Sequence, residues 1–417
     1  MKANTIHVYA GWENDAPIGT LYCDTLSGKE VISFEFYNSW LNTHPHLNLD
    51  PTLPPVPYRS YSSDKMLFGA FQDSCPDRWG RKLIDRREAI YAAQEGRRPH
   101  QFFDSEYMLS VQDACRSGGF RFKTDEDGCY LDNDSNAPIP PITSIRELEQ
   151  ISLGYENGMD ERWVHQLVAP GSSLGGARPK ANVQDTDGSL WIAKFPSRND
   201  DYDIGAWEKT VHDLAKACGI IVPESKVCRY SDLGSTFLVK RFDRDDAGNR
   251  IHFASAMTML GLRDGAADGV GYLELAEITS QISKQAENDL EQLFRRVVFD
   301  IAVSNQDNHL RNHGFLLSKN QWLLSPAFDM NPVNNAEFLA LNIDETDGYR
   351  SFEKAMATHP YYHLSHQKAL EIVKDISGTV AETWKTLAKK HGIHVSEQKR
   401  ISPAFKLSEL QAMKDTI

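Results

Sequence analysis

The 417-residue chain has no run of about 18 consecutive apolar residues, which excludes a membrane-spanning helix as far as sequence can exclude one. Cysteine is scarce. The six (Cys23, Cys75, Cys115, Cys129, Cys218 and Cys228) form no C-x-x-C and keep no regular spacing, so neither a zinc ribbon nor a disulfide framework is indicated. They read as reduced thiols of a cytoplasmic protein, with Cys218 on the apolar face of a helix. Basic charge is in deficit, 45 Lys and Arg against 58 Asp and Glu, for a net charge of −13. That balance opposes sequence-independent binding to a phosphate backbone. No internal repeat with a period of 20–50 residues is visible. Neither G-x-G-x-x-G nor G-x-x-x-x-G-K-[ST] occurs, so the standard dinucleotide and P-loop signatures are absent.

What is present is an ordinary globular composition, 41% hydrophobic and 25% charged, long enough for two or three domains. The start, MKANTIHVYAGWEND, lacks an apolar h-region and reads as a first strand rather than a signal peptide. Strands are expected at Ile6–Trp12, Thr20–Cys23 and Val31–Glu35, before the Pro-rich stretch Asp50–Tyr58. Residues 66–128 read as mainly helical and basic (Arg78, Arg81, Lys82, Arg86, Arg87), with a break at Gly118-Gly119, and Asp132–Pro141 as a linker or exposed loop. Short strands follow at Arg162–Val168, Ala181–Gln184 and Leu190–Phe195, the last two joined by an Asp-Gly turn. Trp207, Val211, Leu214, Ala215 and Cys218 mark a helix stopped by Gly219, ahead of strands Lys226–Tyr230 and Ser235–Phe242. Beyond about 270 the pattern is helical. An amphipathic helix carries Leu290, Leu293, Phe294, Val297, Val298 and Ile301, and two more fit 363–391 and 395–415. The expected division is 1–150, an N-terminal subdomain; 151–262, a β-rich lobe with one helix; and 263–417, a helical lobe.

Three features carry chemistry. Ser172-Ser-Leu-Gly-Gly-Ala-Arg-Pro-Lys180 lies between two expected strands; paired glycines let backbone N–H groups approach an anion, although an ordinary hairpin loop would look alike. Lys194 falls in an apolar strand, where a buried ammonium needs a counter-charge, and Glu208 on the next helix is a candidate; a lysine at the sheet rim is the alternative. The most informative is Val303-Ser-Asn-Gln-Asp307-Asn-His309-Leu-Arg-Asn312, then a hairpin through Ser318–Gln321 that returns to Asp329. Asp307-x-x-x-x-Asn312 has the spacing of the kinase catalytic loop. One loop there aims a carboxylate at a hydroxyl while its amide oxygen reaches Mg²⁺, and Asp329 would add a carboxylate to that hard cation. His309 and His313 lie four apart, but Leu310 stands where a zincin needs its glutamate. Gly loop, strand Lys, helix Glu, Asp-x-x-x-x-Asn and a later Asp follow one another in kinase order.

At this point the chain resembles a known family. Ser173-Leu-Gly-Gly-Ala-Arg-Pro-Lys180, Lys240-Arg-Phe-Asp-Arg244, Asn305-Gln-Asp-Asn-His-Leu-Arg-Asn312 and Phe328-Asp329 are similar to the motifs of HipA-type serine/threonine kinases, the toxins of bacterial toxin–antitoxin modules. Asp73-Ser-Cys-Pro-Asp-Arg-Trp-Gly-Arg81 and Asp113-Ala-Cys-Arg-Ser-Gly-Gly-Phe-Arg-Phe122 resemble segments of that family's N-terminal subdomain. The resemblance implies an α+β, protein kinase-like two-lobed fold with a β-rich N-terminal subdomain and a helical C-terminal lobe. It implies Asp307 as catalytic base and Asn312 and Asp329 as Mg²⁺ ligands. ATP would be held by Lys194, Ser173, Gly175, Gly176, Ala177, His309 and a hinge at Lys240, Arg241 and Phe242, with Glu208 as the supporting ion pair. Ser173 is at the family's autophosphorylation position, with Ser172 beside it as a second candidate. An aminoacyl-tRNA synthetase is the expected class of target and a small DNA-binding antitoxin the expected partner, so that DNA is met only through the antitoxin and no membrane is involved. Arg311 stands where the family often has Lys, which keeps the charge but presents a planar fork.

Two other readings stay open at the level of sequence: a small-molecule kinase of the same fold, and a largely architectural component that bridges an antitoxin on its operator. Three weaker constellations are read as structural. His359, His363 and His366 lack a carboxylate or Cys to complete a metal set; Asp243, Asp245 and Asp246, with Gly248 and Asn249, read as a polar hairpin turn; and the basic run Arg78–Arg87 reads as a helix face.

Overall fold

A computed structural model describes residues 4–63, 66–131, 139–156, 167, 176, 178–263, 265 and 269–414. Of the expected strand at 162–168 only residue 167 is described, and of the linker at 132–141 only 139–141. The chain divides into two compact units, the first comprising Met1–Arg198 with Lys240–Ala254 and the second Asn199–Val239 with Ser255–Ile417.

In the first unit, β1 (Thr5–Ala10), β2 (Ala16–Leu26), β3 (Lys29–Phe36), β4 (Ser60–Tyr61) and β5 (Phe120–Lys123) make an antiparallel sheet in the order β4-β3-β2-β1-β5. Alternation sets its buried face. Ile6, Val8, Leu21, Ile32, Phe34, Phe120 and Phe122 are all at most 1% exposed. Among the described residues, α1 (Asn38–Thr43), α2 (Gly69–Gln72), α3 (Arg78–Gln94), α4 (Asp104–Leu109) and α5 (Ile145–Glu156) accompany the sheet. Phe71 of α2 packs on that face, 5.3 Å from both Phe34 and Phe120. Residues 120–123 are a strand and not part of the helical stretch that the sequence suggested. Phe-Arg-Phe-Lys is too short for its two-residue period to declare itself, and pairing with β1 decides its state. β6 (Lys180–Gln184) and β7 (Leu190–Lys194) form the expected hairpin.

The second unit contains α6 (Ile204–Ala217), the antiparallel hairpin β8 (Ser225–Ser231) and β9 (Gly234–Lys240), α7 (Ala256–Met259), α8 (Tyr272–Ile282), α9 (Ala286–Val303), the hairpin β10 (Gly314–Ser318) and β11 (Gln321–Leu324), α10 (Phe352–Thr358), α11 (His366–Lys390), α12 (Val395–Ile401) and α13 (Lys406–Lys414). α9 is its axis, packed against α8 and α11, with α11 also against α6 and α13. Asp203 caps α6 through Ala206 N, and the helix runs out at Cys218 before Gly219 at φ +71°, as the sequence predicts. The single helix expected over 395–415 is interrupted: Pro403 sits in a 3₁₀ turn, Ser402–Phe405, that separates α12 from α13. That turn buries Phe405, stacked 4.5 Å from Trp384 of α11. None of the six cysteines forms a disulfide. No helix among the described residues is long and apolar enough to cross a membrane.

Candidate functional site

The last turns of α9 bury Val297, Val298, Phe299, Ile301, Ala302 and Val303 completely. The helix then stops at Ser304, which takes the left-handed conformation (φ 59°, ψ 47°) and so turns the chain sharply out of the helical core. A left-handed β-carbon residue costs on the order of 1 kcal/mol, tolerated where the surroundings fix it. Here Ser304 O accepts from Val333 N at 2.9 Å.

The loop that follows alternates between inside and outside. Asn305 and Asn308 are 1% and 4% exposed, whereas Gln306, Asp307 and His309 face solvent. Asp307 therefore presents its carboxylate outward while its neighbours hold the backbone. His309 N donates to Asp307 O (3.1 Å) and Asn312 N to His309 O (2.8 Å), which winds the loop back on itself. The Asn312 side-chain amide donates to Asp307 O at 3.1 Å, so its nitrogen is fixed and its oxygen is turned the other way. His313 is buried against the Tyr272 ring at 5.7 Å, and burial pushes its imidazole down to about 3. One histidine of the i, i+4 pair thus faces solvent and the other the core. Among the described residues there is no group of three or more His, Cys, Asp or Glu that could hold a metal, the 359/363/366 histidines included.

Lys319 and Asn320, at φ 50° and 60°, make the tight turn between β10 and β11, and the chain returns to Asp329. Asp329 is half-buried and left-handed, at φ 59°. Two residues on, Asn331 N donates to Asn305 Oδ1 at 3.0 Å. The segments carrying Asp307 and Asp329 are therefore tied side by side by two hydrogen bonds, Asn331 to Asn305 and Val333 to Ser304. An amide oxygen and a carboxylate are the donors a hard cation takes. Mg²⁺ characteristically accepts one or two carboxylates and completes its shell with phosphate and water, so the residues present fit it.

Several residues expected to hold a nucleotide belong to the first unit. Ser172, Ser173, Gly175 and Ala177 lie outside the described residues. Gly176 is described, at φ +91°, and its carbonyl accepts from Trp79 N at 3.3 Å. Lys180, 2% exposed, pairs with Asp77 (3.2 Å), and its carbonyl accepts from Trp79 Nε1 (3.0 Å). Lys194 closes β7 half-buried, and Glu208, in the second unit, is 4% exposed on α6. Lys240 pairs with Asp246 at 3.3 Å, and Phe242 lies 6.0 Å from Phe253.

Arg241 is buried. It donates to Asp243 (Nε 2.8 Å, Nη2 2.6 Å), to Asn182 Oδ1 (2.7 Å) and to the carbonyls of Cys115 and Arg116. Asp243 likewise corrects the sequence reading. Only Asp245 and Asp246 belong to the polar turn, whereas Asp243 is 6% exposed, ion-paired to Arg241 and Arg244, and bonded to Gly118 N. A carboxylate flanked by two arginines at i−2 and i+1 was legible as a buried ion-pair hub, but turn residues on its far side masked it.

Sequence reasoning passed over Asp300 and Tyr272, and gave Asn305 and Asn308 no role of their own within the loop motif. Asp300 sits in Val297-Val-Phe-Asp-Ile-Ala-Val303, and the logic that singled out Lys194, a charge in an apolar run, applies to it equally.

With this geometry in place, comparison with known proteins is decisive. Residues 172–384 match the HipA-like C-terminal domain and residues 10–98 the HipA N-terminal domain. The chain belongs to the HipA-like family. A HipA chain from the Shewanella oneidensis MR-1 complex of HipA, HipB and operator DNA superimposes with a TM-score of 0.66 over 98% of this chain and 97% of that one, at 15% identity. The fold is accordingly the α+β, kinase-like two-lobed one, with its β-rich N-terminal subdomain and helical C-terminal lobe. A Haemophilus influenzae protein named "Putative kinase" is 30% identical over 146 residues, 31% of this chain and 43% of its own length. "Putative kinase Y4dM" of Sinorhizobium fredii is 25% identical over 242 residues, 53% of this chain and 56% of its own. The chain spans about half the length of these curated relatives.

Proposed function

We propose that this HipA-like chain is an ATP- and Mg²⁺-dependent serine/threonine protein kinase. The observation that carries the reading is the loop 304–312 beside Asp329: an outward carboxylate at Asp307, an Asn312 amide whose nitrogen is fixed to the loop backbone, and a left-handed Asp329 on the adjoining segment. Asp307 accepts the proton of the acceptor hydroxyl as its oxygen forms a bond to the γ-phosphorus; the bond from that phosphorus to the bridging oxygen breaks and ADP leaves. Asn312 and Asp329 are the residues to hold Mg²⁺, which supplies neutralisation of phosphate charge. Lys194, with Glu208 as its counter-ion, and the Gly loop 173–177 hold the phosphates, and 240–242 with His309 complete the nucleotide site. Catalysis on this reading is positioning and charge neutralisation, without a covalent enzyme intermediate.

The reading extends to regulation and partners. Ser173, or Ser172, is the autophosphorylation site; the partner is a small HipB-like DNA-binding antitoxin, through which alone the chain meets DNA; the target is a translation component such as an aminoacyl-tRNA synthetase, in the cytoplasm. Functional boundaries at 150 and 262 belong to the same proposal. Intact mass before and after Mg²⁺-ATP tests it, followed by mapping of the added phosphate. One phosphate on Ser173 or Ser172, absent in Asp307→Asn and Asp329→Asn, is the expected result, each variant losing about 10²–10⁴-fold in rate. Undiminished transfer by a folded Asp307→Asn removes that residue from the mechanism. Absence of transfer to the chain itself and to any protein in a cell extract, with ATP binding intact, refutes the protein-kinase reading.

A further inference from the structure

Asp300 lies on the buried side of α9, 2% exposed, one turn before the loop of Asp307. Its carboxylate gathers donors from two directions. Asn305 Nδ2 reaches Oδ1 at 2.8 Å; Tyr272 Oη, from α8, reaches Oδ2 at 2.7 Å; and the Asn308 amide closes on the same Oδ2 while also lying 3.1 Å from Tyr272 Oη. The backbone joins in, Asn305 N donating to Asp300 O at 3.1 Å. Burial pushes the carboxyl up to about 6, against the pull of these donors and of the charge on Arg296, one turn earlier and 3% exposed. A carboxylate has acceptor sites for all of these donors and no proton to repel them, which no other side chain of that size offers.

The contacts fall on the two residues that bracket Gln306 and Asp307. With Asn305 and Asn308 drawn inward by one buried group, the peptide units on either side of Asp307 are fixed, and Asp307 has only the outward direction. We propose that Asp300 is the positioning residue of the catalytic loop, holding Asn305 and Asn308 so that Asp307 is aimed at the acceptor hydroxyl. The inference rests on the reading of Asp307 as the base. A loop misplaced by about 1 Å costs on the order of 10² in rate.

Asp300→Asn offers one acceptor and one donor, so at least one loop asparagine loses its partner. Its kcat should fall about 100-fold while KM for Mg²⁺-ATP moves less than about threefold. The swap Asp300→Asn with Asn308→Asp restores an amide–carboxylate pair with roles reversed and should regain about tenfold over Asp300→Asn alone. Tyr272→Phe, which leaves both asparagines on Asp300 but takes one contact from Asn308, should lose several-fold. Hydrogen exchange supplies a readout independent of activity: residues 304–312 should exchange faster in Asp300→Asn, with 290–299 unchanged. If Asp300→Asn does not fold, Tyr272→Phe and the swap decide by the same two readouts. Folded variants that keep kcat within about twofold and leave 304–312 protected overturn the inference. A loss confined to KM, or no recovery in the swap, overturns it too. A wild-type protein that transfers no phosphate refutes the kinase reading instead, and exchange over 304–312 then still tests the positioning.

Discussion

Asp243→Asn is the sharpest test of how the first unit is held together. Asp243 accepts four hydrogen bonds, from Arg241 Nε (2.8 Å) and Nη2 (2.6 Å), Arg244 Nη1 (3.0 Å) and Gly118 N (2.8 Å). Burial works to raise its pKa, but Arg241 and Arg244 win and hold it far below the usual carboxylate range. The same two guanidiniums grip the carbonyls of Ala114, Cys115 and Arg116, and Gly118 takes φ +71° to bring its N–H to the carboxylate. The amide is nearly isosteric, so no cavity forms; what it removes is the charge. Two buried guanidiniums, with side chains 3% and 7% exposed, are then left uncompensated. Breaking a buried ion pair from one side costs about 3–5 kcal/mol. Losing one or two charge-assisted bonds at about 1.5–3 kcal/mol each gives about 1.5–6 kcal/mol, a span that contains that range. Set against a total stability of about 5–15 kcal/mol, that is a large fraction. Urea unfolding followed by tryptophan fluorescence reports on this unit through buried Trp79 and through Trp12, stacked 4.6 Å from His252. Because the pair is buried, the cost should be nearly the same at about 0.1 M and about 1 M salt, where Debye lengths are about 10 Å and 3 Å. A loss below about 1 kcal/mol, or one that vanishes in high salt, would refute the buried-network argument.

Two further substitutions probe other parts of the same unit. Asp77→Ala removes both the N-cap of α3 (Gly80 N, 2.7 Å) and the partner of buried Lys180, and should cost about 3 kcal/mol or more in thermal unfolding. Asp77→Ser should recover only the cap's share, about 1 kcal/mol; full recovery would mean that the ion pair contributes nothing. His252 is pushed down to about 3 by burial. Between pH 6.5 and about 3 the unfolded chain therefore binds a proton that the folded one refuses, so stability falls as pH drops, by up to about 1.4 kcal/mol per unit. His252→Phe should flatten that acid limb, and equal slopes for the two proteins in stability-against-pH measurements would show that His252 is not its source.

What the sequence made legible was local. The Asp307-x-x-x-x-Asn312 spacing, the Asp-Gly hairpin at 185–188 and the stop at Gly219 each depend on residues within a few positions of one another, and the hairpin and the stop have the expected structure. The amphipathic helix 286–303 was readable for the same reason, since its period is internal. β5 was not, because four residues carry too little periodicity and its state is set by β1, more than a hundred residues away. Asp300 escaped although it is part of a readable helix. Its partners Tyr272, Asn305 and Asn308 come from another helix and from the loop, and only folding shows that one carboxylate serves all three. Asp243 was misassigned through the same blindness, its neighbours in sequence being turn residues and its partner Gly118 lying 125 residues earlier.

The division of the chain at residue 150 carries a consequence for truncation. β6 is held at its start by groups from before residue 150 and at its middle by Arg241, which such groups hold in turn. At its start Lys180 is paired to Asp77 and its carbonyl bound by Trp79. Two residues on, Asn182 accepts from Arg241, whose guanidinium also donates to the carbonyls of Cys115 and Arg116. A chain beginning at 151 would leave a buried ammonium without its carboxylate and a buried guanidinium without two of its acceptors. Each loss is worth several kcal/mol. The fragment 151–417 should therefore show amide exchange at 180–184 and 190–194 close to the unfolded rate, while 290–303 stays protected as in the full chain. Protection of both hairpin strands in the fragment would show that the N-terminal segment is dispensable to the β-rich lobe. Loss of protection would mean that the Asp73–Arg81 and Asp113–Phe122 motifs are part of the lobe that presents Gly176 and Lys180, and that the HipA N-terminal region cannot be separated from it.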